Sequence, residues 1–369
     1  MTDTPRCLFV TRKYPPSVGG METLAAATAR ALASRCDLTV ISLGRSQRHL
    51  AWWLPWATIR TRTAVHRSRV RNRPVDVIVF GDALTYCAVR PFLGRRMPNH
   101  LVMVMGLDLT FRLPPYQWLV RHVLPSAPRV AAISRTTADE ALARGVPPER
   151  LSIVTPGVLD PDMWPERTAE SGPKLRTLLN LDPDARILIT VGRLVPRKGV
   201  KWFVEHVMAR LPENVVYVIA GTGPDESAIR DAVRAIGSAG ARVHLLGRVD
   251  DELRAALYTG ADIFVMPNLP IGGDMEGFGL VAMEAATAGV LVVASDLEGI
   301  RDAVIENETG LLCPPGDGEC FVARITTLLR DEPERARRAE QFARNAGITF
   351  ARDRMRDDLL SVINTPASP

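Results

Sequence analysis

The sequence predicts an α/β protein of two domains, each built on a parallel sheet, and three observations carry that reading. Short apolar and β-branched runs alternate with longer amphipathic stretches, which is the punctuation of repeated βαβ units. Several of the runs are continuously apolar, as strands buried on both faces of a parallel sheet must be. Midway, Pro156-Gly157, Asp160-Pro161, Trp164-Pro165 and Gly172-Pro173 crowd into a stretch without periodicity, and the pattern then restarts. That stretch reads as an interdomain linker. A chain of 369 residues with 46% hydrophobic content can bury two separate cores.

Taken in order, the first half offers strands at Cys7 to Val10, Leu38 to Ser42, Asp76 to Phe80, Leu101 to Val104, Val130 to Ile133 and Leu151 to Val154. The second half offers Ile187 to Val191, Val215 to Ala220, Val243 to Leu246, Ile263 to Met266, Leu291 to Ala294 and Leu311 to Cys313. A helix is expected from about Met21 to Ala33, a short one over Leu280 to Ala288 that Gly289 ends, and an Arg-rich helical stretch from Phe321 to about Asn345. The expected domains are 1–165 and 166–347, with a last amphipathic segment, 348–363, packing back on the first.

Composition narrows the class. Charged residues make up 24% and no run of 18 apolar residues occurs, so no spanning helix is expected. The start, Met1-Thr-Asp-Thr-Pro-Arg6, has no basic-then-apolar leader, and a cytoplasmic protein is expected. Five scattered cysteines, Cys7, Cys36, Cys87, Cys313 and Cys320, argue for core thiols rather than a disulfide framework or a CxxC site. The six histidines form no metal-binding pattern, so no metal and no cofactor are expected. A net charge of +5 suits an anionic ligand; a nucleic-acid partner is not expected.

Ligands of open α/β sheets bind beyond the carboxyl ends of the strands, so the loops after strands carry the chemistry. The most informative is Glu276-Gly-Phe-Gly-Leu-Val-Ala-Met-Glu284. Two carboxylates eight positions apart would face one crevice, one in a glycine-rich turn and one inside the following helix. Gly277 and Gly279 let backbone approach a ligand, and the first helical turn offers free N–H groups and the positive end of its dipole, which together make a phosphate seat. Carboxylates repel phosphates, so they would serve neutral hydroxyls. Diphosphate plus many hydroxyls describes a nucleotide-sugar. The same spacing also fits an exposed loop Glu followed by a surface-helix Glu.

Other loops add weaker signals. Gly19-Gly20, before the first helix, can bring amides to an anion or form a plain tight turn. Gly192-Arg193-Leu-Val-Pro-Arg-Lys198-Gly199 sets two or three cations at a strand's end, where Arg193 and Lys198 can neutralise a leaving diphosphate without metal, or simply be solvated. Gly221-Thr-Gly223 is permissive but too short for the dinucleotide fingerprint.

Together these residues resemble a family 4 retaining glycosyltransferase, the group that includes the phosphatidylinositol mannosyltransferases, with the two-Rossmann-domain GT-B architecture whose parallel sheets face a central cleft. The resemblance covers nearly the whole chain. It rests on Gly19-Gly20-Met-Glu22, Pro156-Gly157-Val158, Val191-Gly-Arg193 to Lys198-Gly199, Ala220-Gly-Thr-Gly223, Leu246-Gly-Arg248, Glu276 to Glu284 and Thr309-Gly-Leu-Leu312. It implies that Arg193 and Lys198 bind the donor diphosphate, Glu276 the donor sugar and Glu284 the ribose. The amides of Gly277, Phe278, Gly279 and Leu280 would take sugar and phosphate. Gly20, beside Gly19, would lie against the phosphate or the acceptor, and the loop at Arg248 and Val249 would line the nucleobase. Glu22, Met105 and Asp108 fall on the acceptor side.

One departure matters. Such enzymes commonly read His-Gly after the fourth strand, where this chain has Met105-Gly106, and a thioether neither exchanges a proton nor donates a hydrogen bond. His100 and His122 read as structural. Asp160-Pro-Asp162 and Asp182-Pro-Asp184 match a metal-binding DxD pattern but sit in Pro-containing turns, away from strand ends.

The stretch 52–73 holds Trp52, Trp53, Trp56, Arg60, Arg62, Arg67, Arg69, Arg71 and Arg73. Leu50, Trp53, Leu54, Ala57, Thr61, Ala64 and Val65 keep helical spacing, so a helix packed on the first domain with a solvated arginine face is expected. The alternative is contact with an anionic acceptor or a membrane surface.

The reaction implied is retaining transfer of a hexose from a UDP- or GDP-linked donor to an acceptor hydroxyl. A small-molecule or natural-product acceptor is expected, with a lipid-linked acceptor as the alternative. A transfer-deficient nucleotide-sugar binding protein and an epimerase on the same fold are the competing functions.

Overall fold

The computed structural model describes residues 4–17, 19–44, 47–70, 73–94, 97–157 and 164–365. The chain divides into two compact units, Met1–Leu159 with Ala351–Pro369, and Asp160–Phe350. Val158, Arg71 and the Asp160-Pro-Asp162 motif lie outside the described residues.

The first unit is a six-stranded parallel sheet of β1 (Arg6–Thr11), β2 (Asp37–Ser42), β3 (Val77–Phe80), β4 (Asn99–Val104), β5 (Val130–Ala132) and β6 (Leu151–Ile153), in the order β2-β1-β3-β4-β5-β6. Its inner strands are buried end to end: no residue of Val77–Phe80 or Val130–Ala132 is more than 4% exposed. The helix Gly20–Ala33 packs against the last helix, Arg352–Asn364, which belongs to this unit. Gly157 makes that closure possible, since a Cβ there would meet Ala351 O and Arg352 Cα at 3.0 Å. Arg129 Nε donates to Thr365 O at 2.8 Å, and Arg354 Nη2 to Thr155 O at 3.0 Å.

The second unit is another six-stranded parallel sheet of β7 (Arg186–Val191), β8 (Val215–Ala220), β9 (Val243–Gly247), β10 (Ile263–Met266), β11 (Leu291–Ser295) and β12 (Leu311–Cys313). The order is β12-β11-β10-β7-β8-β9, so the chain moves outward one way from β7 and the other way from β10. That reversal is the topological switch point of a doubly wound sheet. Phe203, Tyr217, Val293 and Phe321 fill the core on one face.

Three expectations are corrected. The Arg-rich stretch is two helices, Gly318–Arg330 and Glu332–Thr349, because Asp331 caps the second by accepting Glu334 N at 3.0 Å and Pro333 suits a first turn. Gly172-Pro173 is not linker but the first turn of the helix Ser171–Leu178. Cys313 and Cys320 are not thiols but a disulfide with Cα atoms 5.7 Å apart. The chain leaves β12 at Cys313, and Asp317 caps the next helix through Cys320 N, which turns Cys320 back beside its partner. Cys7, Cys36 and Cys87 are free.

The helix Leu50–Val70 lays Trp53, Ala57 and Thr61 into the core, with Leu50, Leu54, Ala64 and Val65 packed beside them. Arg60, Arg62, Arg67 and Arg69 are on its exposed face, and so are Trp52, 83% exposed, Trp56 and Ile59.

Candidate functional site

The loops leaving β7 and β10 meet at the switch point of the second sheet, and one backbone detail lets them close. After β7 the turn Pro196–Lys198 ends at Gly199, which is left-handed at φ 65. A Cβ at Gly199 would lie 1.8 Å from Pro267 O, just past β10, so only glycine permits this approach. The contact is sealed by Leu269 N donating to Arg197 O at 2.8 Å.

Both cations of the turn are thereby aimed at Glu276. Lys198 Nζ reaches Glu276 Oε2 at 2.6 Å, Arg197 Nη1 pairs with the same oxygen, and Asn268 Nδ2 donates to it at 3.1 Å. Arg197 Nε also lies 3.0 Å from Asp274 Oδ1. Asn268 is 1% exposed and its Oδ1 has no partner among the described residues, a buried acceptor beside the carboxylate. From the loop after β11, Glu298 Oε2 accepts Glu276 N at 2.6 Å and Gly299 N donates to Glu276 O at 3.1 Å. Burial alone would raise the Glu276 pKa, but Lys198 and Arg197 outweigh it and hold the group down at about 2. Glu276 is a fixed anion gripped by side chains that a ligand could draw away.

Glu284 sits on the helix Leu280–Thr287, which opens at Gly279 with φ 94. It accepts a hydrogen bond from Tyr258 Oη at 3.1 Å, and burial raises its pKa against the pull of Arg254. Among the described residues Glu276 and Glu284 share no hydrogen-bond partner. Phe278 is 2% exposed, with its ring edge-on to Phe350, so its side chain is core. Arg193 is exposed and makes no hydrogen bond or ion pair among the described residues.

Gly221 and Gly223 have a reason the sequence did not reveal. Gly192 N donates to Ala220 O at 2.9 Å and Leu194 N to Thr222 O at 3.0 Å, so the loops after β7 and β8 run side by side. A Cβ at 221 would lie 1.8 Å from Gly192 O, and one at 223 would lie 1.9 Å from Leu194 O. Their close approach is to another loop. Arg248 is exposed and Val249 half-buried just beyond Gly247, which ends β9.

In the first unit the switch point falls between β1 and β3. Gly19 caps the helix at Gly20, and buried Glu22 in its first turn pairs with Lys13 Nζ at 2.9 Å. Met105 is buried and its N–H donates to Asp108 Oδ1 at 2.8 Å, while Ala83 N donates to Oδ2 at 2.8 Å. Burial pushes Asp108 up to about 6 despite these bonds. Asp82 caps the helix Ala83–Val89 and takes Arg12 Nε at 3.1 Å. His100 is buried against Tyr86 with its pKa lowered by burial to about 4, and His122 stacks on Trp118.

Arg197, Asn268 and Glu298 in the second unit, and separately Arg12 and Asp82 in the first, are neighbours of expected site residues that the sequence reading did not single out. Arg197 could have been found, since it adjoins Lys198 in the same basic loop. Asp182 and Asp184 lie in a turn between the helix Ser171–Leu178 and β7, and no metal-holding cluster is present among the described residues.

Residues 173–346 match the family described as glycosyl transferases group 1, and residues 18–159 match glycosyltransferase family 4. The chain is 26% identical over 353 residues to the GDP-mannose-dependent alpha-(1-6)-phosphatidylinositol monomannoside mannosyltransferase of Mycolicibacterium smegmatis, covering 89% of this chain and 90% of that one. It is 32% identical over 207 residues to a D-inositol 3-phosphate glycosyltransferase of Corynebacterium efficiens, covering 54% of this chain and 47% of that one. Among solved structures, Anabaena HepE in complex with UDP shares the fold, with a TM-score of 0.79 at 17% identity over 98% of this chain and 100% of that one.

Proposed function

The chain belongs to the family 4 glycosyltransferases and uses a nucleotide sugar, and on that premise we propose that it moves a hexose from a UDP- or GDP-linked donor to an acceptor hydroxyl with retention and without a metal. The observation that carries the reading is the grip of Lys198, Arg197 and Asn268 on one oxygen of Glu276 at the switch point. A donor entering there re-deals those bonds. Lys198, with Arg193, turns to the diphosphate, and Glu276 turns to the sugar hydroxyls. The amides of Gly277 to Leu280 and the opening of the helix at Gly279 support the phosphate, and Glu284 takes the ribose. The departing phosphate oxygen accepts the acceptor's proton on the face it leaves, so no protein base is required and Met105 is no obstacle. Stabilising the developing charge on the diphosphate is the main catalytic contribution. Incubation with UDP- and GDP-sugars, an acceptor panel and EDTA tests this: free UDP or GDP should appear in EDTA. Tight nucleotide binding with no turnover on any acceptor would favour a binding protein, and interconversion of the donor sugar would favour an epimerase.

A lipid-linked acceptor is favoured by the exposure of Trp52, Trp56 and Ile59 beside four arginines on the helix Leu50–Val70. Met105, at 5% exposure, offers almost no surface to a small apolar acceptor. The mycobacterial relative is named for a phosphatidylinositol mannoside, which points the same way. Tryptophans would sit at the headgroup level, with each arginine near the surface adding about 1 kcal/mol on anionic lipid. Salt-sensitive co-sedimentation with phosphatidylglycerol vesicles, lost on neutralising Arg60, Arg62, Arg67 and Arg69, is the expected result. No binding at low salt returns the choice to a small-molecule acceptor.

A further inference from the structure

At the amino ends of β7 and β10, away from the loops just described, four arginines gather round one buried carboxylate. Asp262 is 5% exposed and accepts Ile187 N at 2.8 Å. Arg335 Nη2 lies 3.2 Å from it, Arg176 Nη2 3.5 Å and Arg186 Nη1 4.0 Å. Arg167 donates from Nη1 to the neighbouring Ala261 O at 2.8 Å. The other acid is Glu332, 2.9 Å from Arg186 and 3.8 Å from Arg335 but 65% exposed, so much of its charge is spent on water. Four cations therefore face two carboxylates, one of them solvated.

The innermost cation is also incompletely bonded. Arg335 is 8% exposed, and its Nη1 is buried with no hydrogen-bond partner among the described residues. A buried donor left unmade is costly, and a buried cation short of counter-charge more so. Burial lowers the pKa of Arg335, and Arg186 and Arg176 press the same way against the opposite pull of Asp262 and Glu332. A staple between helix and sheet needs one arginine on Asp262; three on the carboxylate and a fourth beside it exceed that need.

We propose that this cluster is a second anion site, which takes the phosphate group of inorganic phosphate or of a small phosphate ester. Arg335 Nη1 is its inner donor, and Arg176, Arg186 and Arg167 complete the charge. Guanidinium forks match tetrahedral oxyanions, and two negative charges balance the excess. Arg186, with its side chain 25% exposed, forms the lip through which the anion enters. The site also has a path to the Glu276 loop. Arg335 lies near the start of the helix Glu332–Thr349, and Phe350, just past its end, packs on Phe278 at a ring distance of 5.9 Å.

Calorimetric titration of inorganic phosphate into the Arg193→Ala/Arg197→Ala/Lys198→Ala protein tests the proposal, because that variant lacks the donor-loop cations that would also hold phosphate. Saturable one-to-one binding is expected, weakened by about tenfold or more in Arg186→Gln, the loss of one charge-assisted contact. Arg335→Met should abolish it. Because that variant could fail to fold, Arg186→Gln, which leaves Asp262 two arginines, carries the decision. Glucose 6-phosphate in a parallel titration separates the sources: tighter binding than inorganic phosphate identifies an ester, equal or weaker binding the free ion. No saturation at millimolar phosphate, or an affinity untouched by Arg186→Gln, overturns the site.

Discussion

Both sheets place carboxylates beyond the carboxyl ends of their strands and use them oppositely. In the first unit Asp108 is spent on the backbone: both oxygens take main-chain N–H groups, from Ala83 and Met105. Asp82 likewise caps a helix through Thr85 N. Giving up those bonds would unmake the loops. In the second unit Glu276 is held by the ends of flexible side chains, while its own peptide is fixed separately by Glu298 and Gly299. A ligand can take Lys198 or Arg197 without moving the backbone. A carboxylate bonded to main chain is architecture, and one bonded to mobile cations over a fixed peptide is free to act.

The largest expected effect follows from that contrast. Glu276→Ala should cost about 2–4 kcal/mol in transition-state stabilisation, roughly 30- to 1,000-fold in kcat/KM, chiefly in kcat and with nucleotide affinity nearly kept. Asp108→Ala should instead lose stability, through two orphaned buried N–H groups. Kinetics and thermal unfolding of both variants decide the matter, and if Glu276→Ala lowered only Tm, the division between the sheets would collapse.

Acidity separates the same two groups with opposite sign. Asp108 rises from its ordinary value of 3.8 to about 6, so between those values the folded state binds more protons than the unfolded one, and stability falls as pH rises through the window. Glu276 drops from 4.5 to about 2, so its contribution is present above 4.5 and is lost as pH falls toward 2. Each is worth on the order of 3 kcal/mol if fully expressed. Thermal unfolding of Asp108→Asn between pH 4 and 6 should lose the downward slope with rising pH, and a variant that kept it would show that Asp108 is not its source.

Much of this was legible in the sequence, for a reason that also marks the limit. A strand such as Ile263–Met266 is buried on both faces because helices cover both, so it appears as an unbroken apolar run. The loops after such strands are then the places to search, and that search leads to Lys198 and Glu276. Their union was not legible. Lys198 and Glu276 stand 78 residues apart, and it is the pairing of β7 with β10 that joins their loops. Asn268 and Glu298 looked like ordinary polar loop residues because their significance lies wholly in what they touch. The Cys313–Cys320 bridge was missed because scattered cysteines gave no pairing signal until the turn at Asp317 brought the two together.

The smallest effect sharpens the comparison most, because Glu284 lies between the two cases. Like Asp108 it is pushed upward by burial, but like Glu276 its hydrogen bond comes from a side chain, Tyr258 Oη, and not from main chain. If the partner's mobility decides, Glu284 belongs with Glu276, and its carboxylate should pass from the tyrosine to the ribose when nucleotide binds. Glu284→Gln keeps an acceptor for Tyr258 and removes the charge, so stability should hardly change. Nucleotide affinity should fall by about 1–2 kcal/mol, a charge-assisted hydrogen bond reduced to a neutral one. Titration of UDP and GDP against both proteins reads this directly. Unchanged affinity with a lowered Tm would place Glu284 with Asp108, making burial rather than the partner's mobility the dividing line.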